Sequence, residues 1–481
     1  MNKKYGGIMS EKNILIATNS LGIGGCETYI LTMTKELINR EKSVVIVAAD
    51  GMLKNNFENI GAKVYEINFF NRELCMENIK KIEYIIQKEK ITDAAINPFY
   101  PFFEAVSACI KQKIPYSLFF HGVSLKGYFD IQNSFSALGV WSNLFIDNIA
   151  IKYANGYVYA SNEIRDFYEK NFNLDKNKGI VLKNSIETQI QLKPTKKINK
   201  IAMLSRIDPD KANSIKYAIE FYKELYDKSP NNENMCFDIM GTGSKENEIK
   251  EIIKKNESYN INLLEATNNS IESIKQYDVI LGMGRSIIEA MSLKKLAVLI
   301  SYDKYIGLVD ARNNNKMEEI AYANFSGRNI QERNIENCIQ EIQNLTQESI
   351  EEILNENYKY IVKNQSIKTN IIEYLERIEE KHTNFEENNK DLKEYLRIVE
   401  YIVALEKDNN KIASQLKNIT AMQRAVNEQY EEAKKKEEKY MEEAKINQNE
   451  IEHLKKLLND IYNKKTYKFY KKIKQLINKE K

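Results

Sequence analysis

The feature that most restricts this chain is an alternation of short β-rich runs with helical patterns, carried through once and then repeated. From Asn13 to about Lys193 the runs NILIAT, SVVIVAA, AKVYEIN, DAAIN, YSLFF and GYVYAS are separated by helical stretches, the first predicted from Glu27 to Asn39. QLKPTKKINK then breaks the pattern with Pro194 and a cluster of lysines, which reads as a linker. A second series, KIAMLS, MCFDIMG, INLLEA, DVILGMG and LAVLISY, runs to about Phe325. Strand and helix in this order build doubly wound parallel sheets, so the expected fold is α/β, with two tandem Rossmann-like domains over 13–193 and 199–345. Paired domains of this kind bind ligands in the cleft between the carboxyl ends of their strands.

After Gly327 the chain has no further Gly or Pro, a composition that permits nearly continuous helix. Residues 346–380 are expected to close the second domain and lean back on the first. Beyond them, residues 390–462 carry apolar positions in two interleaved seven-residue series. One runs Ile398, Leu405, Ile412, Ile419, Val426, Ala433, Tyr440, Asn447, Leu454, Ile461, and the other Ile402, Asn409, Leu416, Gln423, Tyr430, Glu437, Ala444, Ile451, Leu458. The register does not slip, which predicts a long C-terminal α-helical coiled coil on the order of 95 Å in length and a homo-oligomer built through it. The last segment, 463–481, is a basic amphipathic tail: Lys464 to Lys481 hold eight lysines against the single acid Glu480. Its aromatic and aliphatic residues fall on one short helical face, which suits an anionic membrane surface, while a frayed basic end of the coiled coil is the other reading.

Charge and cysteine usage exclude several classes. With 71 Lys+Arg against 68 Asp+Glu the formal charge is +3, too small to imply a nucleic-acid partner. Cys26, Cys75, Cys109, Cys236 and Cys338 are odd in number and widely spaced, which indicates neither a disulfide framework nor a zinc site and fits a reducing cytoplasm. No apolar stretch approaches the ~20 residues that cross a bilayer. The start of the chain lacks the apolar core of a secretory signal, so the expected location is cytoplasmic, peripheral at the inner face of a membrane.

The chemistry-bearing residues cluster at strand ends. Gly22, Gly24 and Gly25 lead from the first strand into a helix, where backbone N–H groups can approach an anion, although glycines also make ordinary tight turns. In LSRIDPDKANSI, Arg206 and Lys211 lie at the edge of the second sheet, where two cations can neutralise a departing diphosphate. IMGTGS adds a turn around Gly241 and Gly243. In GMGRSIIEAM, Gly282 and Gly284 precede a helix opened by Arg285 and Ser286, with Glu289 one turn inside it. Its amides can hold phosphate while Glu289 accepts hydrogen bonds from ribose hydroxyls. His121, after the strand YSLFF and followed by Gly122, faces the expected cleft; a lone histidine there is also compatible with a structural role.

Together GGCETYI, FFHG, VLKNSIE, SRIDPDKA, MGTGS and GMGRSIIEAMSLKKLAV resemble the retaining GT-B glycosyltransferases of family 4, over roughly residues 13 to 345. The resemblance implies transfer of a sugar from a nucleotide-diphosphate donor to a glycan or lipid-linked acceptor in cell-surface polysaccharide synthesis. It places the Gly24–Gly25 turn against the donor, His121 by the transferred sugar, Arg206 and Lys211 on the diphosphate, and Glu289 on the ribose, with Gly243, Gly284, Arg285 and Ser286 completing the donor site. No metal or cofactor is expected beyond the donor itself, because helix N-termini and basic side chains can stabilise the leaving group. DPD at Asp208–Asp210 reads as turn chemistry, not as a metal motif.

One position departs from the pattern. The family's glutamate eight residues before the one matching Glu289 is replaced by Leu281. This leaves open a different donor sugar, a different way of holding it, or a weakened enzyme; retention of His121, Arg206, Lys211 and Glu289 favours the first. Two other classes stay in view: a non-catalytic subunit that presents the coiled coil, and a sugar-nucleotide epimerase on the same twin-domain plan.

Overall fold

A computed structural model describes residues 12–71, 74–97, 101–122, 145–187, 198–230, 232–313, 333–379, 388–463 and 465–477. The linker around Pro194 lies outside the described residues. The first domain is built from β1 (Asn13–Ser20), α1 (Gly25–Asn39), β2 (Ser43–Ala49), α2 (Lys54–Asn59), β3 (Lys63–Glu66), α3 (Cys75–Lys88), β4 (Asp93–Ile96), α4 (Phe102–Gln112), β5 (Tyr116–Phe120), β6 (Gly156–Tyr159), α5 (Asn162–Asn171) and β7 (Gly179–Val181). Its sheet has the order β3-β2-β1-β4-β5-β6-β7, and every pair is parallel. The strands are apolar without alternation because both faces are covered. Leu15, Val45 and Leu118 pack toward α3 and α4, while Ile14, Ile16 and Ile46 pack toward α1 and α2.

The second domain comprises β8 (Lys200–Leu204), α6 (Pro209–Asp227), β9 (Cys236–Met240), α7 (Glu246–Lys254), β10 (Ile261–Leu264), α8 (Ser270–Ile274), β11 (Val279–Gly282), α9 (Arg285–Ser292), β12 (Leu296–Ile300), β13 (Tyr305–Leu308), α10 (Ile335–Gln343) and α11 (Gln347–Asn364). Its strand order is β10-β9-β8-β11-β12-β13, with β13 antiparallel to β12. In both sheets the order reverses beside the first strand, between β1 and β4 and between β8 and β11. Ligand crevices of doubly wound sheets open at those points.

The chain then returns to the first domain. α11 packs on the second sheet through Ile350, Ile353, Leu354 and Ile361, whereas α12 (Ile367–Glu379) packs on the first through Ile367, Ile371, Tyr374, Leu375 and Ile378. The turn between them is fixed to the end of the first domain: Ile186 and Ser366 form a parallel bridge, and Asn370 Nδ2 donates to Ser185 Oγ at 2.8 Å. α13 (Asn388–Asn463) is one uninterrupted helix, followed by α14 (Lys465–Ile477). The opening turns of α13 belong to the globular core, with Leu392 and Leu396 buried and Ile398 packed against the same cluster. Ile398, which heads one heptad series, is therefore a domain residue. The chain divides into two units, the globular part to Val403 and the helical extension from Ala404, whose side chains lie largely in solvent. No described helix is long and apolar enough to cross a membrane.

Candidate functional site

At the switch point of the first sheet, α1 begins at Gly25, two residues earlier than the sequence pattern predicts, with Gly24 as its extended N-cap. The turn from Leu21 to Gly24 is set by Gly51 at the end of β2: a Cβ there would stand 2.1 Å from the Leu21 carbonyl carbon and 2.4 Å from the Gly22 nitrogen. Only glycine allows the two strand ends to lie so close. On the other side the Glu27 carboxylate folds back over the turn, so that a Cβ on Gly24 would meet its Oε2 at 2.3 Å. Burial raises the Glu27 carboxyl above its usual range, while Arg206 from the second domain acts in the opposite sense.

His121 follows β5 and is held by Asn97, which follows β4: Nε2 lies 2.6 Å from Asn97 Oδ1. Asn97 Nδ2 donates to the Ala17 carbonyl at 2.9 Å, which turns Oδ1 toward the ring and assigns the imidazole proton to Nε2. The ring stacks on Phe119 and meets the edge of Tyr29. Burial pulls its pKa down to about 4, so the imidazole is neutral near pH 7. The Tyr29 hydroxyl is buried without a hydrogen-bond partner among the described residues.

In the second domain the loop after β8 carries both cations, in different environments. Arg206 is about half exposed and pairs with Asp208 at 2.8 Å and Asp210 at 3.1 Å. Lys211, half-buried on the first turn of α6, lies over the Tyr302 ring at 4.0 Å and donates to Met283 Sδ at 3.1 Å. Burial pulls its pKa down to about 8, opposed by the nearby Asp210 carboxylate. Among the described residues no carboxylate hydrogen-bonds its ammonium.

The glycines of the two turns differ in purpose. Gly243 packs beneath the Arg206 loop, where a Cβ would lie 2.5 Å from the Ile207 carbonyl, and a Cβ on Gly241 would stand 1.9 Å from the Ser205 carbonyl oxygen. Backbone bonds from Ile207 to Thr242 and from Lys245 to Ile207 stitch the loops together, with Gly243 packed against the cation loop. Gly282 and Gly284 have φ of +144° and +66°, and a Cβ on Gly284 would meet nothing within 4 Å. There the backbone conformation, not crowding, demands glycine.

The helix α9 that follows holds the contact between the domains. Arg285 Nε donates to Glu289 Oε1 at 2.8 Å, Nη1 to the Ser185 carbonyl at 2.9 Å, and Nη2 to Thr32 Oγ1 on α1 at 2.7 Å. The Arg285 and Glu289 side chains are only 10% and 5% exposed, so this is a desolvated pair within α9, set at the contact between the domains. Sequence reading places both on the donor; in the structure Arg285 also bridges the two domains, and Glu289 keeps Oε2 as its uncommitted oxygen. Ser286 Oγ donates to the Met283 carbonyl within the glycine turn. Leu281 is fully buried in β11.

The fold therefore brings Gly24, Gly25, Arg206, Lys211, Arg285, Ser286 and Glu289 to facing edges of one cleft: a Cβ on Gly25 would stand 3.9 Å from the Arg285 Cβ. His121 joins this group through Tyr29, which senses the Arg285 charge. Gly243 stays behind the loop. Glu27 and Gly51 went unnoticed in the sequence, although Glu27 lies within GGCETYI. Among the described residues no group of three or more His, Cys, Asp or Glu side chains is gathered to hold a metal ion.

Residues 23–190 match the model of the family described as Glycosyltransferase Family 4. A search of curated proteins gives no match. Among solved structures, a glycosyltransferase from Rickettsia africae ESF-5 is 18% identical with a TM-score of 0.54, over 77% of this chain and 98% of its own. Anabaena Alr3699/HepE in complex with UDP is 15% identical with a TM-score of 0.55, over 76% of this chain and 99% of its own. A variant of S. aureus TarM in complex with Fondaparinux, alpha-GlcNAc-glycerol and UDP is 14% identical with a TM-score of 0.55, over 77% of this chain and 100% of its own. At these identities the likeness establishes the fold, which is the GT-B architecture of glycosyltransferases.

Proposed function

We propose that the chain is a glycosyltransferase that moves a sugar, with retention of configuration, from a nucleotide-diphosphate donor to a glycan or lipid-linked acceptor in cell-surface polysaccharide synthesis. The observation that carries this reading is Lys211, a half-buried ammonium that no carboxylate among the described residues hydrogen-bonds, beside the glycine turn that opens α9. A desolvated cation there suits the charge that develops on a leaving diphosphate, and the amides of α9 add to it. The uncommitted Oε2 of Glu289 is the acceptor for a ribose hydroxyl. With Nε2–H given to Asn97, His121 offers Nδ1 as an acceptor to a hydroxyl of the transferred sugar. The UDP in the Anabaena and S. aureus structures makes a uridine donor the first to try. No cofactor beyond the donor enters this reading.

Incubation of the purified protein with UDP-, GDP- and ADP-sugars, with and without acceptor extracts, tests the proposal: one donor should release its nucleoside diphosphate. A second reading, a non-catalytic subunit, is favoured by one observation, the burial of Leu281 where the family has a glutamate. It predicts no release and no thermal shift with any of the donors.

The helical extension is assigned two roles, assembly with a further copy through α13 and membrane contact through α14. The 13 residues of α14 include five lysines and no acid, with Phe469 and Tyr470 exposed. Such a helix suits the headgroup layer of an anionic bilayer. Binding to vesicles containing anionic lipid should be lost at high salt and on neutral vesicles, and each Lys→Gln change at Lys471 or Lys472 should weaken it about fivefold. Equal cosedimentation by the full chain and a chain ending at Tyr462 would remove the tail from this role.

A further inference from the structure

The apolar stripe on α13 has an internal order that goes beyond a heptad repeat. From Ile412 to Leu458 its positions alternate four and three residues apart and span ~70 Å of helix. Read from either end, the stripe has nearly the same chemistry. Ile412, Leu416 and Ile419 open it, Leu458, Leu454 and Ile451 close it, and all six are more than half exposed. Next inward come the amides Gln423 and Asn447, both exposed, then Val426 and Ala444, and then the tyrosines Tyr430 and Tyr440. Ala433 and Glu437 flank the centre.

Resting on the reading that α13 assembles with a further copy, we propose that two copies pair along this stripe as an antiparallel coiled coil centred near Lys435. The mirrored order carries the orientation. An antiparallel partner places Leu458 of the second copy opposite Ile412, Ile451 opposite Ile419, Asn447 opposite Gln423 and Tyr440 opposite Tyr430. Each amide thereby meets an amide across the seam, where an unmatched polar group is costly and so fixes register. The Glu437 carboxylate faces Ala433, within a turn of Lys434 and Lys436 on the second copy. A parallel, in-register pair needs no such symmetry and sets Glu437 against its own copy in the seam, a like-charge contact that destabilises. The antiparallel arrangement leads the second copy's α14 back toward the first copy's Ala404.

Single cysteines at the exposed stripe positions, in the full chain, test the orientation. Light scattering should give a dimer for the wild-type chain. Oxidation of an equimolar, co-refolded mixture of Ile419→Cys and Ile451→Cys chains should trap a disulfide dimer on a denaturing gel, well above the wild-type background of native cysteines, while neither variant alone should do so. Cross-linking of Ile419→Cys alone would show a parallel pair and overturn the orientation, leaving assembly intact, as would a dimer that cross-links in neither arrangement. A monomeric full chain would overturn assembly itself.

Discussion

Replacing Lys211 by Ala is expected to lower kcat/KM for the nucleotide-sugar about a hundredfold, with the fold unchanged by circular dichroism. The loss corresponds to ~3 kcal/mol of transition-state stabilisation, the scale for one preorganised group facing developing charge. Arg206→Ala should cost less, under about tenfold, because its guanidinium is exposed and already paired with Asp208 and Asp210, and exposed pairs are screened. The pH profile separates the two further. Burial holds Lys211 at about 8, with the Asp210 carboxylate acting upward and the Arg206 guanidinium downward. The useful form is the ammonium, so kcat/KM should fall as pH rises through about 8, and this limb should vanish in Lys211→Ala. Equal losses in the two variants, or an unchanged alkaline limb, would contradict the assignment of Lys211 to the diphosphate.

The other large effect is expected on stability. Arg285→Ala leaves Glu289 buried and unpaired and removes the hydrogen bonds that tie α9 to Thr32 and to the Ser185 carbonyl. Breaking one partner of a buried pair costs ~3 kcal/mol or more, equivalent to a fall in Tm on the order of 10 °C for domains of this size. Glu289→Gln in the Arg285→Ala background should recover part of the loss, since a neutral amide is cheaper to leave unpaired. Differential scanning calorimetry of the wild type and both variants measures the effect. A change in Tm within about 2 °C for Arg285→Ala would show that the interdomain contact is not held by this side chain.

The sequence by itself determined the two tandem sheets, because parallel strands covered on both faces must be written as continuous apolar runs, and NILIAT, SVVIVAA and LAVLISY are such runs. It also permitted the one long helix, since residues 388–463 hold no Gly or Pro, although the helices before it are separated at 344–346 and 365–366 without either. Short elements escaped it: β7 spans only Gly179–Val181, and antiparallel β13 only Tyr305–Leu308. At the site, residue types and strand-end positions were legible, so Lys211, His121 and the glycine turns could be named before their neighbours were known. Their roles depended on groups far away in the chain. Arg285 bonds Thr32, 253 positions earlier, a contact between the domains that its place in the glycine-turn motif does not announce. Gly243 and Gly51 look like any turn glycines until the packed backbones of Ile207 and Leu21 are seen. Local spacing encodes which backbone a segment can adopt, but which charge is left unpaired in the cleft is a property of contacts between segments, and only the tertiary structure sets those.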